Sequence, residues 1–229
     1  MLGSVAVAHW ITLYGTLRRN SGWFGPLTTE FGGAADEVWL TIDDGPEPRD
    51  TPGMLEVLAR HEALATFFMI GRKVDREREL ARRVAGAGHG IGNHTYSHPA
   101  GAFWTLPPGM MRREIVRGAD AIEVATGVRP RLFRSPVGLT NPFVHPVLRS
   151  EGAQLVGWSA SGFDGLGDRG EVVVSRILNA ARPGGILVLH EGGGPGRVET
   201  LDLLLTRLKA RGLRCVLPGM GTSSQTRSG

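Results

Sequence analysis

Val38-Trp39-Leu40-Thr41-Ile42-Asp43-Asp44-Gly45-Pro46 is the stretch that decides the fold. An apolar, β-branched run ends abruptly in two carboxylates and a Gly-Pro turn. A strand that stops at chemistry-bearing side chains is the pattern of a parallel barrel, whose strands open at their C-terminal ends into a site. Two further stretches repeat it. Ile186-Leu187-Val188-Leu189 delivers His190, and Gly90-Ile91-Gly92-Asn93 leads to His94-Thr95-Tyr96-Ser97-His98.

Outward from these stretches, strand and helix signals alternate from Glu37 onward. Strands are predicted at Val38–Ile42, Ala65–Ile70, His89–Gly92, Leu132–Arg134, Ala153–Trp158, Ile186–His190 and Leu213–Leu217. Helices are predicted from Thr51-Pro52 to about His61, at Asp75–Ala85, Pro108–Ala125, Pro142–Ser150, Glu171–Ala181 and Glu199–Ala210. Pro52 suits a first helical turn, and Gly127 suits the end of the long helix. Such alternation implies a parallel sheet with right-handed crossovers. Candidate groups end at least four strands, which a ring brings together and an open sheet spreads apart, so a single-domain α/β barrel is expected. No Gly-rich phosphate loop follows the first strand, and no internal repeat is visible.

Composition narrows the class. The 229 residues are 41% hydrophobic with 34 Gly and 14 Pro, which describes a loop-rich globular chain. The single cysteine, Cys215, excludes an intramolecular disulfide and a cysteine-based zinc cluster. It lies in the apolar run Leu213–Leu217 and reads as a buried strand residue. The formal charge of +4 comes from dispersed arginines such as Arg76, Arg78, Arg82 and Arg83. No nucleic-acid-binding signature accompanies them, so a solvated helix face is expected and nucleic acid is not.

Residues 1–33 differ from the rest and are read as an N-terminal apolar and aromatic extension ahead of a domain at 34–220, with a flexible tail at 221–229. Leu2 to Leu17 is too short and polar for a clear span or signal peptide. Trp10, Tyr14, Trp23 and Phe24 suit a membrane surface or an ordinary packing patch. Compartment stays open between a cell envelope and a cytoplasm.

The strand ends carry the chemistry. Adjacent carboxylates at a strand end point in different directions, so of Asp43 and Asp44 one can bind a cation while the other accepts a proton; Asp-Gly-Pro is also good turn chemistry by itself. His94 and His98 stand four apart, a spacing that on a helical turn places both imidazoles on one face to share a divalent ion. With one Asp they make a two-histidine, one-carboxylate set suited to Zn²⁺, Co²⁺, Ni²⁺ or Mn²⁺. His190 can protonate a leaving group or simply cap its strand end, and Arg134 can hold Asp43 in orientation or stand as a surface arginine. His61, His89 and His145 show no partner pattern and read as structural. The constellation points to metal-assisted hydrolysis.

T-I-D-D-G-P at 41–46, N-H-T-Y-S-H-P at 93–99, R-S-P-V-G at 134–138, W-S-A-S-G-F-D at 158–164 and L-V-L-H at 187–190 together resemble the ordered motifs of the polysaccharide deacetylases, the NodB-homology proteins of carbohydrate esterase family four. The resemblance runs from about Glu37 to Leu217 and implies a distorted (β/α)₇ barrel. It implies Asp43 as general base, Asp44, His94 and His98 as ligands of one divalent ion, with Zn²⁺ first, Arg134 as the tether of Asp43, and His190 as general acid. It further implies the backbone N–H of Val137, beside Pro136, at the oxyanion, and Trp158 near the substrate.

Three positions, in two motifs, depart from the family pattern. Val137 stands where an aromatic ring usually walls the sugar pocket. Ser161 and Gly165 stand where the fourth motif usually carries an acid and a Trp, which leaves Asp164 to orient His190. The expected activity is removal of N-acetyl groups from amino sugars of a polysaccharide, oligosaccharide or glycolipid, by a monomer that contacts membrane, if at all, through residues 1–33. Deformylation or amidase action on a lipid-linked sugar or small amide is the alternative, and an inactive glycan-binding module is the alternative of another class.

Overall fold

The computed structural model describes residues 13–219. Among these residues eight strands form one curled, all-parallel sheet: β1 (Glu37–Asp43), β2 (Ala65–Met69), β3 (Gly90–Asn93), β4 (Leu132–Phe133), β5 (Gln154–Leu155), β6 (Ala160–Ser161), β7 (Ile186–His190) and β8 (Arg214–Cys215). Their order is β5-β4-β3-β2-β1-β7-β6, with β8 paired to the start of β1. Except between β5 and β6, each connection between successive strands contains a helix, as in a distorted (β/α) barrel.

Strand periodicity sorts the side chains into two layers. Val38, Leu40 and Ile42 of β1 join Phe67, Met69, Leu187 and Leu189 in a core that packs against the surrounding helices. Trp39 points the other way and clusters inside the curl with Phe68, Val156 and Ile186. The same parity that sends Trp39 inward sends Thr41 and Asp43 inward. That is how a buried hydrophobic strand delivers a carboxylate to the barrel mouth.

The expected strand Ala153–Trp158 is shorter than its apolar run, and β6 follows it after Val156–Ser159 with no helix between. The sheet path therefore ends at β5 and β6. The N-terminal segment lies across this break: Thr28 bridges Val156 and Glu30 bridges Gly185. Residues 28–30 thus pair with the barrel wall, on the far side of the boundary drawn after residue 33. Residues 13–17 are helical, with Leu13, Tyr14 and Leu17 exposed. Among the described residues no helix is long and apolar enough to cross a membrane. Trp10 and the tail at 221–229 lie outside the described residues.

The helix expected at Asp75–Ala85 is two helices, Gly71–Arg76 and Arg78–Gly86, broken at Glu77 where φ is −120° and ψ is 47°. The first must start at once after β2, because the Gly71 and Arg72 N–H groups donate to the Thr95 and Tyr96 carbonyls. Close approach makes this possible. A Cβ on Gly71 would meet the Gly118 Cα at 2.9 Å, and one on Gly118 would meet the Thr95 carbonyl carbon at 2.8 Å. Two glycines therefore let the long helix Pro108–Thr126 press against the segment that carries the two histidines. Cys215 is buried, and burial pushes its thiol up to about 12, consistent with a packing role.

Candidate active site and metal centre

Asp43, Asp44, His94, His98, Arg134 and His190 converge at the C-terminal mouth of the sheet. Asp43 is the last residue of β1, and its Cα partners across the ladder are Phe68 of β2 and His190 of β7. Its carboxylate is 2% exposed and takes a hydrogen bond from Arg134 Nη1 to Oδ1 at 2.7 Å. Arg134 is itself fully buried. It also donates through Nη1 to Thr41 Oγ1 at 2.6 Å, through Nη2 to the Gly157 carbonyl at 2.6 Å and through Nε to the Val156 carbonyl at 3.2 Å. Burial draws the Arg134 pKa down, and the Asp43 charge opposes it. The guanidinium lies over the Phe68 ring at 4.2 Å and near Trp158 at 5.6 Å. Trp158, expected near substrate, packs on the Arg134 guanidinium and against Gly138, where a Cβ would meet its ring at 2.7 Å.

Asp44 leaves the strand with φ 73°. That turn separates the adjacent carboxylates: Asp43 Oδ1 faces Arg134, with Oδ2 4.0 Å from His94 Nε2, while Asp44 faces both histidines more closely. Asp44 Oδ1 is 3.5 Å from His94 Nε2 and 3.3 Å from His98 Nε2. The histidine pair is not on a helical turn. Residues 94–98 form an irregular loop in which Thr95 (φ 68°) and His98 (φ 54°) are left-handed, and the imidazole centroids still meet at 4.7 Å. The loop is held from outside: Tyr96 N–H donates to the Glu114 carbonyl, and Glu114 Oε2 and Oε1 accept from Ser97 N–H at 2.8 Å and Ser97 Oγ at 2.9 Å. The His98 N–H donates to Thr95 Oγ1 at 3.0 Å.

The donor set fits a divalent ion. His94 Nδ1 is 2.7 Å from the Arg134 carbonyl, which can only accept, so Nδ1 carries a hydrogen and Nε2 is the nitrogen that the neutral ring would offer to an ion. Burial, with the neighbouring His94, lowers His98 to about 4 against the pull of Asp44 and Asp43, which leaves a neutral imidazole. Asp44 Oδ1 is buried with no hydrogen-bond partner among the described residues. One donor atom from each of Asp44, His94 and His98 lies within 4.8 Å of the others. Ligands about 2.0–2.1 Å from a tetrahedral Zn²⁺ stand about 3.3 Å apart, which matches the two Asp44 separations.

On the other side of the mouth, His190 Nδ1 pairs with Asp164 Oδ1 at 2.7 Å, and the His190 N–H donates to Asp164 Oδ2 at 2.8 Å. Asp164 is buried; burial raises its pKa, but His190 and Arg197 outweigh that and hold it below the usual carboxylate range. His190 moves the opposite way. Burial pulls it down, but the Asp164 hydrogen bond and charge, with Asp43 and Asp44, push it up to about 9. Nε2 is thereby left to carry a proton into the site. Val137, in the 3₁₀ turn Pro136–Gly138, has φ 50° and is 38% exposed, while Pro136 is buried. A β-branched residue there is a strained choice that its surroundings must enforce. Asn20 supplies part of that support, its N–H donating to the Gly138 carbonyl and its Nδ2 to the Trp158 carbonyl, both at 3.0 Å.

Among the described residues, the remaining histidines stay outside the site. His61 pairs with Asp202, while His89 meets the Phe67 ring at a tilt and His145 packs under Gly25. Sequence reading missed Thr41, Glu114 and Arg197. Arg197 donates to the Asp164 and Gly192 carbonyls at 2.8 Å each, and so supports the partner of His190. It follows a glycine-rich loop and no local pattern marks it. Thr41 did carry a signal, as a polar residue of inward parity two before Asp43.

Comparison with known proteins matches residues 32–156 to the polysaccharide deacetylase family model. A peptidoglycan-N-acetylglucosamine deacetylase of Bacillus cereus is 32% identical over 195 residues, 83% of this chain and 70% of that protein. A chitooligosaccharide deacetylase of a Bradyrhizobium strain is 35% identical over 189 residues, 76% of this chain and 85% of that one. The solved peptidoglycan N-acetylglucosamine deacetylase Bc1960, in complex with 4-naphthalen-1-yl-N-oxidanyl-benzamide, superposes with a TM-score of 0.79 at 30% identity, covering 85% of this chain and 92% of its own. A family 4 pseudoenzyme of Bacillus anthracis superposes with a TM-score of 0.76 at 27% identity, covering 83% and 66%.

Proposed function

The chain belongs to the polysaccharide deacetylase family, and from that premise we propose that it hydrolyses the N-acetyl amide of an amino sugar in a glycan, using a divalent ion, Asp43 and His190. It is a hydrolase of carbon–nitrogen bonds other than peptide bonds. Its relatives act on peptidoglycan N-acetylglucosamine and on chitooligosaccharides, and those two glycans are the first substrates to offer.

The observation that carries the reading is the split of the two aspartates. Asp43 is hydrogen-bonded to Arg134 at 2.7 Å, while Asp44 faces His94 and His98. Asp44, His94 and His98 would hold the ion, Zn²⁺ in the first instance and Co²⁺, Ni²⁺ or Mn²⁺ as alternatives. When bound, such an ion supplies Lewis-acid polarisation of an acetyl carbonyl and makes water more acidic. Asp43 accepts the proton of the attacking water, and Arg134 keeps its carboxylate aimed at the mouth. The backbone N–H of Val137 is a donor for the developing oxyanion, whatever the side chain at that position. His190, held by Asp164, gives its Nε2 proton to the departing sugar amine, and acetate leaves.

A pseudoenzyme among the structural neighbours makes the inactive alternative concrete. Against it, this chain keeps proton acceptor, proton donor and ligand set in one mouth. Acetate release from N-acetylglucosamine oligomers and from peptidoglycan tests the reading. Release from neither, with turnover of a small formamide or acetamide, would favour the amidase alternative.

A further inference from the structure

Glu191 follows His190, and its carboxyl turns back under the loop that carries Asp44. The residue is 2% exposed. Oε2 accepts from the Thr51 hydroxyl at 2.6 Å and from the Glu47 N–H at 2.8 Å, while the Glu191 N–H donates to the Asp43 carbonyl. Gly45 lies flat on the same carboxyl: a Cβ there would meet Oε2 at 2.6 Å. A second tie runs beside it, from the Gly192 N–H to Asp50 Oδ2 at 2.6 Å. Residues 45–51 are therefore pinned at several points to the residues just past β7. Oε1 is buried with no hydrogen-bond partner among the described residues. A half-satisfied buried carboxyl is a poor choice for stability alone, which calls for another reason for its presence.

We propose that Glu191 is a positioning residue: it clamps the 45–51 loop to the end of β7 and so holds Asp44 at the distance from His94 and His98 that a shared ion requires. This rests on the reading of Asp44 as a metal ligand. The clamp also links the two halves of the mouth, since Glu191 adjoins the proton donor while Gly45 adjoins the ligand. Burial pushes the Glu191 carboxyl up to about 8, against the Thr51 and Glu47 hydrogen bonds, so glutamine is a close neutral substitute.

The test is Zn²⁺ titration of the full chain in competition with a chromophoric chelator, with thermal unfolding as the folding control. Glu191→Ala is expected to weaken Zn²⁺ affinity by about 10–100-fold, the usual cost of losing an outer support of a metal site. Glu191→Gln keeps an oxygen for both donors and is expected to stay within about threefold of wild type. Thr51→Val preserves volume and removes one donor, with an expected loss of about three- to tenfold, and it serves if the Ala variant does not fold. Wild-type affinity in a folded Glu191→Ala or Thr51→Val, or equal losses in Ala and Gln, would overturn the clamp. A wild type that releases no acetate while the Ala-to-Gln contrast persists would instead overturn the deacetylase reading and leave the clamp standing.

Discussion

Asp43 and His190 are Cα partners in the register of the adjacent parallel strands β1 and β7. Both have the inward parity of their strands, so the proposed proton acceptor and the proposed proton donor stand side by side at one level of the barrel mouth. Each has its own buried partner of opposite charge, Arg134 for Asp43 and Asp164 for His190. Pairs of titratable groups placed in opposed environments are how one site performs both acid and base work.

Asp164→Asn should move the alkaline limb of the pH profile. His190, at about 9, is a proton donor below that value and loses the role as pH rises through it. A dication held by Asp44, His94 and His98 would add positive charge and bring the limb below that value. Removing the Asp164 charge lowers it further, by about one unit, in a plot of kcat/KM against pH. An unmoved limb would mean that another group supplies the proton.

Arg134→Lys keeps a charge but not the geometry. One ammonium with three donors cannot serve Asp43, Thr41, Val156 and Gly157 together. Buried carbonyls left without donors cost about 1–3 kcal/mol each, so a loss of about 2–5 kcal/mol is expected in urea unfolding, with an unchanged m-value. kcat should fall about 100-fold as Asp43 loses its aim.

His94→Ala and Asp44→Ala should each abolish stoichiometric Zn²⁺ binding at micromolar protein. Chelation should remove wild-type activity, and added Zn²⁺ or Co²⁺ should restore it. Retained binding in Asp44→Ala, read by equilibrium dialysis, would contradict the assigned set.

Val137→Asn separates backbone from side chain. Asparagine tolerates the left-handed conformation better than a β-branched residue, so stability should rise by about 0.5–1 kcal/mol in denaturant unfolding. If only the backbone N–H serves the oxyanion, kcat should change by less than about threefold.

The longest strands were legible because parity and length speak together. β7 is an unbroken apolar run before its histidine, and β1 from Val38 to Ile42 is apolar except at Thr41, so their ends named Asp43 and His190 directly. β6, two residues within Trp158–Asp164, is too short and too rich in Gly and Ser to raise a strand signal. The i, i+4 histidines announced a shared ion, but not the loop that unites them. That loop depends on two left-handed residues and on Glu114, which belongs to the next helix. Residues 28–30 were unreadable for a related reason: their pairing with Val156 and Gly185 spans more than a hundred residues. Glu191 acts through contacts 140 and 144 residues away and Arg197 through Asp164, 33 residues away, and local spacing carries no trace of either.

The most direct test measures acetate release from N-acetylglucosamine oligomers alongside Zn²⁺ affinity, in wild type and in Asp43→Asn. The account predicts release by wild type, a fall of about 10²–10⁴-fold in kcat for Asp43→Asn, and Zn²⁺ affinity retained within about tenfold. Full activity in Asp43→Asn would contradict it, and so would activity lost only because Zn²⁺ is lost.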